Sequence, residues 1–221
     1  MCDQHAWFEY HVHLPFNHPE TLTMPDRPDL TALIGSRICH DLISPIGAIG
    51  NGVELLMMDG VTKGPEIALI AESVANANAR IRFFRVAFGS AGRDQRIGRG
   101  EVASIIEDTT RGGRLVIDWV SPQDLARREV KLAFLAIQCC ETAMPYGGRI
   151  RVERGEPRWS VAAQATRMRL DTAVWDVLSN PAAATGLTPA HVHFALLPEE
   201  VTRQGRRLSV ELRETEIRMA F

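Results

Sequence analysis

The sequence predicts an α+β chain: a two-helix hairpin that dimerises into a four-helix bundle, followed by an α/β sandwich. Three observations predict it. Apolar residues step by three or four from Leu30 to Leu56 and again from Ile67 to Phe88, the period of amphipathic helices. Gly60 and Gly64 separate the two runs, so a short turn joins them into an antiparallel pair. After residue 114, segments of period two alternate with helical ones, the pattern of a sheet covered by helices.

Residues 1–28 carry four histidines and Pro15, Pro19, Pro25 and Pro28 without a sustained period, and read as a leader or flexible arm. His11 and His13 form an HxH pair, which without a third ligand makes a poor metal site. The hairpin spans 29–89. Its first helix carries Leu30, Ile34, Ile38, Leu42, Pro45, Ile49, Val53 and Leu56 on one stripe. Its second opens with Pro65, where a missing N–H is harmless, and closes at Gly89. Between them Ile67, Ile70, Val74, Ala77, Ile81, Phe84 and Phe88 make a heptad-like seam. One hairpin alone leaves apolar surface in water, so two chains are expected to pair as a homodimer, the alternative being that the hairpin packs against its own C-terminal domain.

Residues 90–100, SAGRDQRIGRG, read as a linker. The domain from 100 to 221 is expected to hold a helix near 101–109, a strand at 114–120, and a helix capped by Ser121, Pro122 and Asp124 that ends at Ala143 before PYGG. Strands at 149–154, 158–164 and 167–171 follow, then a helix near 172–178 and one near 189–203, in which Pro198 argues for a break. RLSVELR and EIRMAF close the chain as a hairpin. Trp119, Trp159 and Trp175 belong to the core.

A formal charge of −2 and a pI near 6.4 supply no field that would draw the chain to nucleic acid or to anionic lipid. The longest strongly apolar run, Leu132 to Cys140, is far shorter than the roughly 20 residues of a membrane span. The N-terminus has no basic region followed by an apolar stretch, so the chain is expected in the cytoplasm. Cys139 and Cys140 lack zinc-type spacing and read as core thiols. His191 and His193 read as core or surface histidines instead of ligands.

Chemistry concentrates in SRICHDLISPIG, residues 36–47. At 100° per residue His40 falls roughly 190° from the centre of the apolar stripe and so faces solvent. Arg37, Ser44, Gly47 and Asn51 project on the same side, leaving the imidazole ringed by small or polar groups that another protein can approach. A neutral imidazole is a competent nucleophile for phosphorus, and Asp41 beside it can hold the other ring nitrogen's proton and offset the developing charge. Pro45 removes the N–H that would bond the Asp41 carbonyl, placing a bend beside the reactive group at a cost of roughly 3 kcal/mol.

The run SRICHDLISPIGAIGNGVELL resembles the ChpT-type histidine phosphotransferases of alphaproteobacteria, and HDLISP resembles the H-box of histidine kinases. The resemblance covers residues 29–221. It implies His40 as phosphoacceptor, Asp41 as its acid/base neighbour, and Ser44 where kinases carry a threonine or asparagine. It also implies that 100–221 is a degenerate kinase ATPase domain. The helix asparagines that hold magnesium in kinases are replaced by Gln138 and Thr142, no Asp-x-Gly-x-Gly turn occurs, and ATGLTP at 184–189 looks like a worn lid. No cofactor of its own is then expected, and Mg²⁺ comes with the partner receiver domain. Arg37, Ile43, Gly47 and Asn51 are expected to dock receivers, by resemblance that of a CckA-like hybrid kinase and those of CtrA-like and CpdR-like response regulators. Two other readings remain: an ATP-dependent sensor kinase with an unusual nucleotide site, and a non-catalytic scaffold.

Overall fold

The computed structural model describes residues 8–11, 30–59, 64–156, 158–180, 184 and 186–221. The expected turn at Gly60, the second histidine of the HxH pair and Thr185 of the 184–189 lid segment lie outside them. Strand β1 (Phe8–His11) comes first, within the stretch read as a leader, and adds to a sheet edge. The hairpin follows as α1 (Leu30–Asp59) and α2 (Pro65–Ala87). Helix α1 runs through Pro45 without interruption. Gly52 is buried where the two helices meet, and a Cβ there would strike the Ile70 side chain, so the residue fixes how closely they approach.

The stretch read as a linker is structured. Strand β2 (Arg96–Gly98) lies within it, followed by α3 (Arg99–Thr110), β3 (Leu115–Val120) and β4 (Asp124–Ala126). The β2 and β4 strands pair antiparallel, Ile97 opposite Leu125. Asp124 therefore is no helix cap. Its carboxylate accepts from Arg96 Nε at 2.9 Å, and α4 (Arg127–Ala143) starts only beyond the capping signal. Helix α4 is buried on every side from Val130 to Cys140. It ends at a turn where Gly147 has φ +91°, and a Cβ there would strike the Arg114 backbone, so glycine is required.

Strands β5 (Gly148–Arg154) and β6 (Trp159–Gln164), the short helix α5 (Thr172–Asp176), a 3₁₀ turn (Pro189–His191), α6 (Val192–Arg203), β7 (Ser209–Leu212) and β8 (Glu216–Ala220) complete the chain. The main sheet runs β1-β7-β8-β6-β5-β3, antiparallel except for the parallel β3–β5 pair. Residues 167–171 make no strand. Met168 and Leu170 instead pack on the core from a loop, and Arg169 N–H donates to the Ala143 carbonyl at 2.9 Å. Nor does Pro198 break α6: Leu197 and Val201 are buried on either side of it, and packing on α4 outweighs a proline penalty of about 3 kcal/mol.

The core lies between sheet and helices. Trp159, Phe134, Phe194, Leu132 and Ile150 are fully buried, Trp175 is nearly so, and Trp119 packs against the same cluster. Cys139 and Cys140 are free, and burial pushes their thiols up, that of Cys140 to about 12. The C-terminal half of α2 is part of this core: Phe83, Phe84, Val86 and Ala87 are buried, and Phe83 stacks on Phe134 at 4.6 Å. Lys131 Nζ donates to the Gly89 carbonyl at 3.0 Å and Arg127 Nη2 to the Arg85 carbonyl at 2.7 Å, satisfying carbonyls at the end of α2. Hairpin and sheet domain thus share one hydrophobic interior.

Candidate functional site

Residues 37–45 of α1 place five functional side chains on little more than two turns. His40 points away from the core with 82% of its side chain exposed, as its helical phase predicts. Asp41, one residue on, is turned inward and only 9% exposed. Its two oxygens do different work. Oδ1 stands 3.0 Å from His40 Nδ1, and Oδ2 accepts from Arg37 Nε at 2.8 Å. Arg80 of α2 approaches Oδ2 at 3.7 Å. A carboxylate flanked by two guanidiniums is an acceptor, so Nδ1 of His40 carries the proton and donates to Oδ1. The lone pair on Nε2 is left facing solvent. That is the arrangement a nitrogen nucleophile requires.

The imidazole stands at the rim of a polar cleft of about 590 Å³. His40, Asp41, Ser44 and Pro45 of α1 line one side, and Glu72, Ser73, Asn76 and Arg80 of α2 another. The third wall is the end of α3 and the turn after it, Asp108 to Gly113. Sequence reasoning missed this wall. It is held by Arg82, whose Nη1 donates to Asp108 Oδ2 at 2.6 Å, while Arg111 Nη2 donates to Oδ1 at 2.6 Å. Arg80, Arg82 and Arg96 are each paired with a carboxylate of this chain.

Of the residues expected to dock a partner, Gly47 and Asn51 are exposed on α1, and a Cβ at Gly47 would meet no atom of the described residues within 4 Å. The side chain of Ile43 lies outside what the structure describes. Arg37 is only 19% exposed, and two of its nitrogens have partners within the chain, Nε the Asp41 carboxylate and Nη1 the Ala190 carbonyl at 2.6 Å. Helical spacing alone put it on the His40 face. Its second partner is 153 residues away and left no signal in the local sequence.

The replaced asparagine positions are occupied within the domain. Gln138 is buried. Thr142 Oγ1 donates to the Gln138 carbonyl at 2.9 Å and lies 3.1 Å from His193 Nε2. Since the hydroxyl proton is committed, Nε2–H of His193 is the donor in that second contact. Among the described residues no three His, Cys, Asp or Glu side chains converge as metal ligands, and no helix is long and apolar enough to cross a membrane.

Residues 99–216 match the family model described as the histidine phosphotransferase C-terminal domain. Over 191 residues the chain is 33% identical to the protein phosphotransferase ChpT of Brucella abortus (strain 2308), an alignment covering 82% of this chain and 90% of that protein. A solved bacterial phosphotransferase superposes with a TM-score of 0.74 at 31% identity, covering 91% of this chain and 98% of the other.

Proposed function

The chain belongs to the ChpT-type histidine phosphotransferases, proteins of phosphorelay signalling, and on that premise we propose that His40 carries the phosphoryl group between the aspartates of two receiver domains. The observation that bears most weight is the pairing of an exposed imidazole with an inward carboxylate, Nδ1 to Oδ1 at 3.0 Å. In the first step Nε2 of His40 attacks phosphorus of an aspartyl phosphate in line. The P–N bond forms, the P–O bond to the receiver carboxylate breaks, and that carboxylate leaves with the electron pair. Nδ1 keeps its proton, so the ring becomes cationic, and Asp41 offsets that charge. The second receiver's carboxylate then attacks the phosphohistidine and returns the imidazole to its starting state.

Transfer of this kind is mostly positioning and charge stabilisation. The receiver brings its own Mg²⁺, and this chain supplies nucleophile, orienting carboxylate and cleft. Gly47 and Asn51, about two and three turns along α1 from His40, offer a surface of small and polar groups for the receiver to meet. A hybrid-kinase receiver of the CckA-like kind as donor and CtrA-like and CpdR-like regulators as acceptors fit this reading, as does a cytoplasmic homodimer built on the α1–α2 hairpin.

The experiment incubates the pure protein with a radiolabelled, phosphorylated receiver and separately with labelled ATP. Wild type takes label from the receiver and none from ATP, and His40→Ala takes none from either while keeping its oligomeric state. Label from ATP in the wild type would favour the sensor-kinase reading. Undiminished labelling of His40→Ala would move the phosphoacceptor elsewhere.

A further inference from the structure

We propose that Arg37 is a positioning residue through which the C-terminal domain fixes the tautomer of His40. Arg37 and Asp41 are one turn apart on α1, and the guanidinium Nε meets Oδ2 at 2.8 Å. The other carboxylate oxygen faces His40 Nδ1 at 3.0 Å. Whatever sets the rotation of the Asp41 carboxylate therefore sets which ring nitrogen of His40 holds the proton. Arg37 sets it from two sides, because its Nη1 also donates to the Ala190 carbonyl at 2.6 Å.

Ala190 belongs to the other half of the molecule. It sits in the 3₁₀ turn that leads into α6, where His191 N–H donates to the Thr188 carbonyl at 2.9 Å and Thr188 Oγ1 lies 3.2 Å from His191 Nδ1. Val192, Phe194 and Leu197 anchor the helix that follows in the core. One planar fork spans a carboxylate on α1 and a carbonyl of the sheet domain, which a single ammonium cannot do in the same geometry. Ile38, the next residue on α1, packs against the domain core and holds the helix in that register. The sheet domain thus acts on His40 through Arg37 without touching the ring.

The rate arm of the test rests on the phosphoacceptor role of His40, whereas the spectroscopic arm does not. Nitrogen NMR of ¹⁵N-histidine-labelled full-length protein reads the tautomer directly in wild type, Arg37→Ala and Arg37→Lys. Wild type is expected as the Nδ1–H form, with both variants shifted towards the mixture of a free imidazole. Transfer from a phosphorylated receiver is expected to fall roughly ten- to a hundred-fold at saturation in Arg37→Ala. The receiver concentration giving half-maximal rate stays unchanged, and Arg37→Lys recovers only part of the loss. An unchanged His40 tautomer in the variants overturns the proposal, as does a raised half-saturation with an unchanged maximal rate, the mark of a docking residue. Should Arg37→Ala not fold, Arg37→Lys carries both arms. A wild type that accepts no phosphoryl group would sink the functional reading and leave the tautomer comparison to decide this one.

Discussion

A buried histidine with one orphan nitrogen makes stability depend on pH. His193 donates Nε2–H to Thr142, its Nδ1 has no hydrogen-bond partner among the described residues, and it is fully enclosed. Burial pushes its pKa well below 6.5, with the Arg37 and His191 charges adding to the depression. Below pH 6.5 the unfolded chain binds a proton that the folded chain refuses, so stability falls as the pH is lowered through that value. Between pH 7 and 5.5 the loss is about 1 kcal/mol. Urea unfolding of wild type and His193→Gln over this window is expected to show a shallower slope in the variant by that amount, and equal slopes would refute the assignment. Glu129 does not confuse the comparison. Burial alone would raise its pKa, but the Trp159 indole, Arg206 and Arg154 outweigh burial and hold it low, so its contribution is lost only below the usual carboxylate range. At this scale the sequence is informative where a side chain obeys helical phase, as His40 does. It is silent on the Arg37–Ala190 and His193–Thr142 contacts, whose members come from distant parts of the chain.

Among the elements, the join between α2 and α4 does most to hold the two halves together. Phe83 lies 4.6 Å from Phe134 in a stacked pair and meets Phe84 edge-on at 6.4 Å. Truncating it opens a cavity that close-packed neighbours refill only in part. Phe83→Ala is therefore expected to cost roughly 3–5 kcal/mol in chemical denaturation, and a loss below about 1 kcal/mol would show that the hairpin and the domain unfold independently. Elements whose own period is strong are legible from residue spacing alone: both hairpin helices, α4, and the β7–β8 hairpin. The misread ones are decided by competition that period does not record. Asp124 has the chemistry of a cap, but pairing with Arg96 across the β2–β4 ladder draws it into a strand. Residues 167–171 alternate like a strand, but β6, the strand just before them, is already flanked by β8 and β5 and offers them no edge.

For the molecule as a whole, the described surface of the hairpin is incomplete by itself. Ile67, Val74 and Ile81 recur every seven residues on α2 and are 41%, 41% and 46% exposed. On α1, Ile46 and Val53, also seven apart, are 59% and 43% exposed. Within the same α2 seam Ala77 and Phe84 are buried in the chain's own interior. The heptad pattern is thus divided, part satisfied internally and part left in water. Matching seven-residue stripes on two adjacent helices are what a second hairpin would cover by knobs-into-holes packing. A double variant, Val74→Glu with Ile81→Glu, places two carboxylates in that seam without touching a buried position. Burial of unpaired charge at an interface costs several kcal/mol per group, enough to dissociate a dimer of ordinary affinity at micromolar concentration. Light scattering is expected to find wild type at twice the chain mass and the variant at the chain mass, with unchanged helical content. Since the Asp41, Arg37 and Arg80 contacts and the cleft are built within one chain, the monomer should still accept a phosphoryl group from a receiver. A wild type that scatters as a monomer would leave the apolar stripes without their partner, and a monomeric variant inactive in transfer would mean that the second chain completes the site.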